Sequence, residues 1–323
     1  MALHPNIDPG LAEALAAGPL PVSDLRGMRP EDVPGLRVQV EAAFAAMAPL
    51  ELDGQVAIED RTVPGPEGAP DLRLRIYRPA GQRGAVPGIY WIHGGGMMFG
   101  NLEAEDPWLV DYAVQVGCVV VSVEYRLAPE HPHPAPVEDC YAGLLWTAKN
   151  AAELGIDPER LAVAGVSAGG GLAAGTVLLA RDRGGPALAF QLLICPMLDD
   201  RNTTPSSQEF TEAVVWDRAA NLLGWASLLG DDAGTDGVSP YAAPARATDL
   251  SGLPPAYVDV GELEVFRDEC IDYAQRLVRA GVSTEFHLYP GAFHGFDMVL
   301  PDVEISRRAV AERMVALRRA LLR

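Results

Sequence analysis

A serine among small residues is the first feature of this 323-residue sequence that indicates covalent chemistry. Ser167 lies at the centre of a Gly-x-Ser-x-Gly motif over 165–169, between the apolar run 161–164 and a helical stretch. A nucleophilic serine needs a sharp strand-to-helix turn that exposes its hydroxyl, and flanking glycines permit that turn because they carry no side chain. The helix N-terminus adds unpaired N–H groups and the positive end of a dipole. This context predicts that Ser167 is a nucleophile.

Three consecutive glycines at 94–96 form the second such feature. They follow His93 and the apolar run 87–92, and they leave backbone N–H groups unshielded. Acyl transfer needs such donors where the tetrahedral oxyanion develops, and one donor can contribute about 3 kcal/mol. A glycine-rich loop can also be merely flexible, but beside a serine motif it predicts an oxyanion hole, with His93 ordering the loop. The predicted oxyanion hole comprises Gly94, Gly95, Gly96 and Ala168, the residue after the nucleophile.

Of the six histidines, His294 is the one best placed to act as general base. It follows a late strand and the turn 290–291, and a loop in that place can reach the serine. The other five lie at the N-terminus, before the glycine run, in a proline-rich stretch or within a predicted strand. We therefore predict that His294 takes the proton from the nucleophile.

The triad acid should lie between the serine and the histidine, in the chain order serine, acid, histidine. Glu264 is the preferred candidate because it comes at the carboxyl end of a predicted strand and before the next helix. Glu262 is the second candidate. Asp259 lies within the strand and Asp268 one turn into the helix, so either could instead form a structural ion pair with a nearby arginine.

Short apolar runs alternate with helical stretches along most of the chain, which indicates βαβ units and a mainly parallel sheet. The predicted strands are 72–78, 87–92, 118–124, 161–166, 188–195 and 255–260, and the predicted helices lie near 106–116, 136–152, 168–182, 265–280 and 302–321.

Two regions interrupt this alternation. Residues 1–50 are predicted to be helical, with one face formed by Leu36, Val40, Phe44 and Met47. Residues 201–235 form either a lid over the site or an extra packing layer. We expect a cap segment over 1–50 and a catalytic domain over 51–323 with a cap insertion at about 201–235. The residues expected to line a substrate pocket, with core packing as the alternative for Met and Trp, are Met97, Met98, Phe99, Val215, Trp216 and Phe296.

Composition excludes several classes of protein. A net charge of −19 disfavours nucleic acid and anionic membranes as partners, and the excess carboxylates are expected at the surface. The four cysteines have no C-x-x-C spacing and apolar surroundings, which predicts buried free thiols in a reducing compartment. No signal peptide or apolar run of 18 residues is present in the sequence, so we expect a cytoplasmic protein. Serine chemistry implies a small-molecule substrate and neither a metal nor an organic cofactor.

Five motifs in order resemble the hormone-sensitive-lipase family of esterases (bacterial family IV), over about residues 50–320. They are His93–Gly96, Tyr125–Glu130, Gly165–Gly170, Phe266–Glu269 and His294–Phe296. The resemblance implies an α/β-hydrolase fold with an eight-stranded sheet and a helical cap. It also implies Ser167 as nucleophile, His294 as base, and oxyanion donors at Gly95, Gly96 and Ala168, with Gly94 shaping the turn.

The same resemblance implies hydrolysis of short- to medium-chain carboxylic esters and a homodimer formed through the last strand edge, near 283–289. An amidase, a carbamate hydrolase or a lactonase would use the same triad. A non-catalytic ligand receptor of this fold would typically lack the histidine that this chain has at 294. Two positions depart from the family: Val166 stands where aspartate is frequent, and Glu264 where the acid is usually aspartate.

Overall fold

An eight-stranded, mainly parallel sheet forms the centre of the protein in a computed structural model that describes residues 3–18, 25–45 and 54–322. The strands are β1 (Val56–Val63), β2 (Leu72–Pro79), β3 (Val86–Ile92), β4 (Val119–Glu124), β5 (Ile156–Val166), β6 (Phe190–Ile194), β7 (Ala256–Leu263) and β8 (Thr284–Phe293). Their order is β1-β2-β4-β3-β5-β6-β7-β8. The β1–β2 and β2–β4 pairs are antiparallel and the remaining pairs are parallel, which confirms the predicted architecture.

Helices cover both faces of the sheet. They are α1 (Pro9–Ala16), α2 (Val33–Ala45), α3 (Asp106–Tyr112), α4 (Ala135–Lys149), α5 (Ala151–Leu154), α6 (Ala168–Asp182), α7 (Pro205–Glu209), α8 (Arg218–Leu229), α9 (Arg267–Arg279), α10 (Phe296–Val299) and α11 (Glu304–Leu321). Helix α11 lies with the π-helical turn after α3 on one face, and α4, α6 and α9 pack on the other. Because both faces are covered, strands such as β4 and β6 are apolar along nearly their whole length.

Both regions that interrupt the alternation contain helices among the residues that the structure describes, as predicted. Helices α1 and α2 occupy the N-terminal region, where Leu36 and Val40 are half-buried. Met47 lies outside the described residues, as does the side chain of Phe44. Helices α7 and α8 lie within 201–235. Arg37 of α2 donates from Nε to the carbonyl oxygen of Met98 at 2.7 Å, so α2 is anchored beside the glycine run.

All four cysteines are buried free thiols, as the sequence predicted: Cys118, Cys140, Cys195 and Cys270. None of the helices in the described ranges has the length and apolar character needed to cross a lipid bilayer.

Candidate active site

Ser167 occupies the sharp turn between β5 and α6, with φ +58° and ψ −120°. The turn brings the chain so close to its neighbours that the flanking positions have no room for a side chain. A Cβ atom at Gly165 would lie 2.2 Å from the carbonyl oxygen of Gly169, and one at Gly169 would lie 2.1 Å from that of Ile92. The Ser167 N–H donates to the Ile194 carbonyl at 2.8 Å, which fixes the strained residue against β6.

A continuous chain of hydrogen bonds joins Ser167, His294 and Glu264. The Ser167 hydroxyl lies 2.9 Å from His294 Nε2, and His294 Nδ1 lies 2.7 Å from Glu264 Oε2. Glu264 directly follows β7, His294 directly follows β8, and both side chains are buried. Burial raises the pKa of Glu264, and the His294 imidazole beside it opposes that rise. This geometry suits a serine nucleophile with a histidine base and an orienting carboxylate.

The other carboxylates considered for the acid have different partners. Glu262 accepts a hydrogen bond from the Gly291 N–H at 2.7 Å and so fixes the turn in β8. Asp268 accepts from Arg267 Nε at 2.8 Å. Asp259 accepts from Arg313 Nε at 2.6 Å, and Arg313 also pairs with Asp297, which lies three residues after the histidine. The buried arginine therefore ties the histidine loop to β7.

The glycine run after β3 presents two free amides. Gly95 and Gly96 have φ of +113° and +63°, values that favour glycine. Within the part of the chain that the structure describes, neither of their N–H groups has a hydrogen-bond acceptor. The N–H of Gly94, in contrast, donates to Glu105 Oε1 at 2.9 Å. Of the four predicted oxyanion donors, Gly94 therefore already donates its N–H to another residue. Ala168, the fourth predicted donor, is the first residue of α6.

Glu105 is a residue of the site that the sequence analysis did not single out. Its carboxylate is buried and accepts from the Gly94 N–H on one oxygen and from Trp91 Nε1 on the other. Burial raises its pKa to about 7, against an ordinary value of 4.5. It lies in the acidic run 103–106, where nothing in the sequence separates a buried carboxylate from exposed ones.

His93 orders the same loop, the role the sequence predicted for it. Its Nδ1 lies 2.8 Å from the Gly94 carbonyl oxygen, and its ring stacks on Tyr125 with centroids 4.2 Å apart. The Tyr125 hydroxyl in turn donates to the His93 carbonyl at 3.0 Å. Burial lowers the pKa of His93 to about 4, so its imidazole is neutral near pH 7.

The structure distributes the residues proposed for the substrate pocket among three places. Met97 and Met98 are fully buried in the core, and the Met98 thioether accepts from the Ser227 hydroxyl at 3.3 Å. Phe99 beside them is half-buried. Trp216 lies close to the site: a Cβ on Gly96 would meet its ring at 2.3 Å.

The remaining two residues of that set pack around the histidine loop. Phe296 begins α10 and is buried in an apolar cluster with Tyr289 and Leu11. Val215 is half-buried against the same cluster, so the 201–235 segment packs on the group of apolar side chains that α1 and α10 share.

A cavity of about 320 Å³ lies between α3 and α11. Val166 and Ile194 form part of its wall, and Asp297 and Arg313 supply polar groups to it. Ser167, Glu264 and His294 are not among the residues that line it.

A mainly parallel sheet with a serine at the β5–α6 turn and a histidine after its last strand defines an α/β hydrolase. Residues 89–298 match a family model described as the alpha/beta hydrolase fold. The chain is 39% identical to carboxylesterase NlhH of Mycobacterium tuberculosis over an alignment of 324 residues. That alignment covers 98% of this chain and 97% of NlhH.

Solved structures of esterases are similar to this chain in both sequence and fold. Bacterial heroin esterase is 48% identical, with a TM-score of 0.91 and 98% of each chain covered. Esterase LipW from Mycobacterium marinum is 40% identical, with a TM-score of 0.80, 98% of this chain covered and 96% of that one. The chain belongs to the α/β-hydrolase family, in its hormone-sensitive-lipase branch. It is a carboxylic-ester hydrolase.

Proposed function

We propose that this enzyme hydrolyses short- to medium-chain carboxylic esters through Ser167, His294 and Glu264. The hydrogen-bond chain between these three side chains, with links of 2.9 and 2.7 Å, is the observation that carries the proposal. The hydroxyl oxygen of Ser167 attacks the ester carbonyl while His294 Nε2 takes its proton. Glu264 holds the imidazole in the tautomer with a proton on Nδ1 and stabilises the imidazolium that forms.

The oxyanion of the tetrahedral intermediate is stabilised by the N–H groups of Gly95, Gly96 and Ala168. The first two support this role because they have positive φ and no acceptor among the described residues, so they are free to donate. His294 then protonates the leaving alcohol, and in the second half-reaction it activates the water that releases the acid.

Steric closure around Ser167 favours a small acyl group. The serine is only 7% exposed, and Trp216 packs directly on Gly96 of the oxyanion loop. The centroid of the Trp216 ring lies 6.5 Å from that of His294. The segment 201–235 therefore acts as a cap together with the N-terminal helices, and its tryptophan limits the chain length that the site accepts.

A chain-length series tests the reaction. Wild type should hydrolyse p-nitrophenyl acetate and butyrate faster than the dodecanoate, and Ser167→Ala should lower kcat by roughly 10⁵–10⁶-fold. Ser122→Ala is the matched control, because Ser122 is a buried serine within β4. Equal loss in both variants, or full activity in Ser167→Ala, contradicts the proposal. Faster cleavage of matched p-nitroanilides than of the esters would instead favour an amidase.

The acid needs its own test. Glu264→Gln should lower kcat by about 10⁴-fold, because the amide favours the wrong imidazole tautomer. Glu264→Asp should also lose activity, since a side chain one methylene shorter withdraws the oxygen that now lies 2.7 Å from Nδ1. Glu262→Gln serves as the control and should keep near wild-type kcat, because its carboxylate contacts Gly291. The assignment is wrong if Glu262→Gln loses as much activity as Glu264→Gln.

The outer edge of β8 supports a homodimer. This strand ends the sheet, and Leu288 on it is exposed. Light scattering after size-exclusion chromatography should give a dimer for wild type and a monomer for Leu288→Lys, because the charge meets its copy across the axis. Val38→Lys, an exposed position on α2, should leave the dimer intact. A monomeric wild type refutes this part of the proposal.

A further inference from the structure

Three side chains with different metal-ligand chemistry meet beside the nucleophile. Cys195 follows β6, and its thiol, the Glu264 carboxylate and the His294 imidazole each offer a ligand atom within 4.8 Å of the others. All three residues are buried. A Zn²⁺ ion bound at 2.0–2.3 Å holds its ligand atoms about 3.3–3.8 Å apart, so side-chain shifts of about 1 Å would complete three bonds.

Glu264 supplies an independent sign of a missing ligand. Its Oε2 accepts from His294, but its Oε1 has no hydrogen-bond partner among the described residues, although the side chain has no exposure to solvent. A buried carboxylate oxygen without a partner is rare and unfavourable. One oxygen of this carboxylate is therefore available to a ligand without the loss of an existing contact.

The surrounding charges favour a cation. Asp259 and Asp297 lie close enough to influence Glu264 electrostatically, and Arg313 pairs with both of these aspartates. Three buried carboxyl groups therefore share one guanidinium, and an added divalent cation would pair with the excess carboxylate.

We propose that Cys195, Glu264 and His294 form a site for a thiophilic divalent cation, of the Zn²⁺ or Cd²⁺ type, that reversibly inhibits the enzyme. A thiolate, an imidazole and a carboxylate are a ligand set that suits these ions, whereas Mg²⁺ and Ca²⁺ take oxygen ligands. As the metal bonds form, the proton on Cys195 sulfur and the proton on His294 Nδ1 leave to solvent. No electron is transferred.

Inhibition follows from the position of the ion, and this part rests on the proposed function. A metal on Nδ1 replaces the proton that Glu264 holds and places two positive charges against the ring. The imidazole then cannot take a second positive charge, so His294 no longer accepts the proton of Ser167. Binding itself does not depend on the reaction, which makes the two parts separable by experiment.

The test uses the full-length protein titrated with Cd²⁺ under metal-buffered conditions. The expected results are one bound ion per chain at the inhibitory concentration, loss of esterase activity, and the ultraviolet charge-transfer band of a Cd–thiolate bond. Chelation should restore activity. Ca²⁺ at the same concentration should leave activity unchanged.

Two cysteine variants separate this site from metal binding elsewhere. Cys195→Ser should abolish the band and raise the half-inhibitory Cd²⁺ concentration at least about tenfold. Cys118→Ser, which changes a buried thiol just before β4, should keep both the band and the inhibition. Circular dichroism establishes that each variant is folded. A band or inhibition unchanged in Cys195→Ser overturns the site. A Cys195-dependent band without inhibition supports the metal site but overturns its proposed inhibition through His294.

Discussion

Replacing Glu105 should separate catalysis from stability. Glu105→Leu removes the acceptor of the Gly94 N–H, the bond that holds the first peptide of the oxyanion loop. Without it, that peptide is free to rotate, and the adjoining donors on Gly95 and Gly96 leave the position that the oxyanion requires. We expect kcat to fall about 100-fold with KM changed little, because loss of one oxyanion donor costs about 10²–10³-fold.

The expected change in folding stability is smaller. Glu105→Leu leaves the buried Trp91 Nε1–H and the partly buried Gly94 N–H without their acceptor, at up to about 1–3 kcal/mol each. The substitution also removes a carboxylate whose pKa burial raises from 4.5 to about 7. Holding that group charged above pH 7 costs about 3 kcal/mol. These terms offset each other, so the free energy of unfolding should fall by no more than about 3 kcal/mol.

The assay measures kcat and KM on p-nitrophenyl butyrate, urea unfolding, and the affinity of a trifluoromethyl ketone, whose adduct places an anionic oxygen in the oxyanion hole. Affinity for the ketone should fall in parallel with kcat/KM. Glu269→Leu is the matched control, because Glu269 is a buried glutamate that accepts the backbone N–H groups of Leu198 and Asp199. It should lose stability with a smaller loss of kcat. A folded Glu105→Leu with kcat within twofold of wild type refutes the reasoning.

Three further predictions concern stability, each measured by urea unfolding. The pKa of Glu105 is raised in the folded state, so its contribution is lost as pH rises from 4.5 through about 7. The stability of Glu105→Gln relative to wild type should therefore rise by up to about 3 kcal/mol between pH 4.5 and 8, and a constant difference would count against this. Arg313→Met should destabilise by about 3–5 kcal/mol because it leaves two buried carboxylates unpaired, and asparagines at both should recover part of the loss. Gly96→Ala should lose about 1–3 kcal/mol more than Gly68→Ala, which has a similar positive φ but no neighbour within 4 Å, because only the first meets Trp216.

The fold was predictable because its signals are local and repeated. Buried strands are short apolar runs, so β4 and β6 were visible without knowledge of their neighbours. The antiparallel pairing of β1 with β2 and of β2 with β4 was not predicted, because pairing joins residues far apart in the chain. The packing of Val215 on the cluster around Tyr289 and Phe296 was hidden for the same reason.

The residues of the candidate site likewise differ in how far the local sequence marks them. Ser167 and His294 are marked by their own turns, since glycine is required there by backbone geometry. Glu264 was preferred among several acids on its position after a strand, and its 2.7 Å contact with His294 depends on where β7 and β8 end in space. No local pattern carries that information.

Composition alone does not show which carboxylates are buried and which are exposed. An acidic excess predicts a charged surface, and most of these groups could be exposed without consequence. Glu105, Asp259 and Glu264 are instead buried, and each is held by a different donor: a backbone amide, an arginine and an imidazole. Burial without such a donor would shift a carboxyl group to its neutral form. The contacts of each carboxylate are therefore decided by its donor. Under the proposed function, Glu105 shapes the oxyanion loop, Asp259 ties down the histidine loop through Arg313, and Glu264 orients the base.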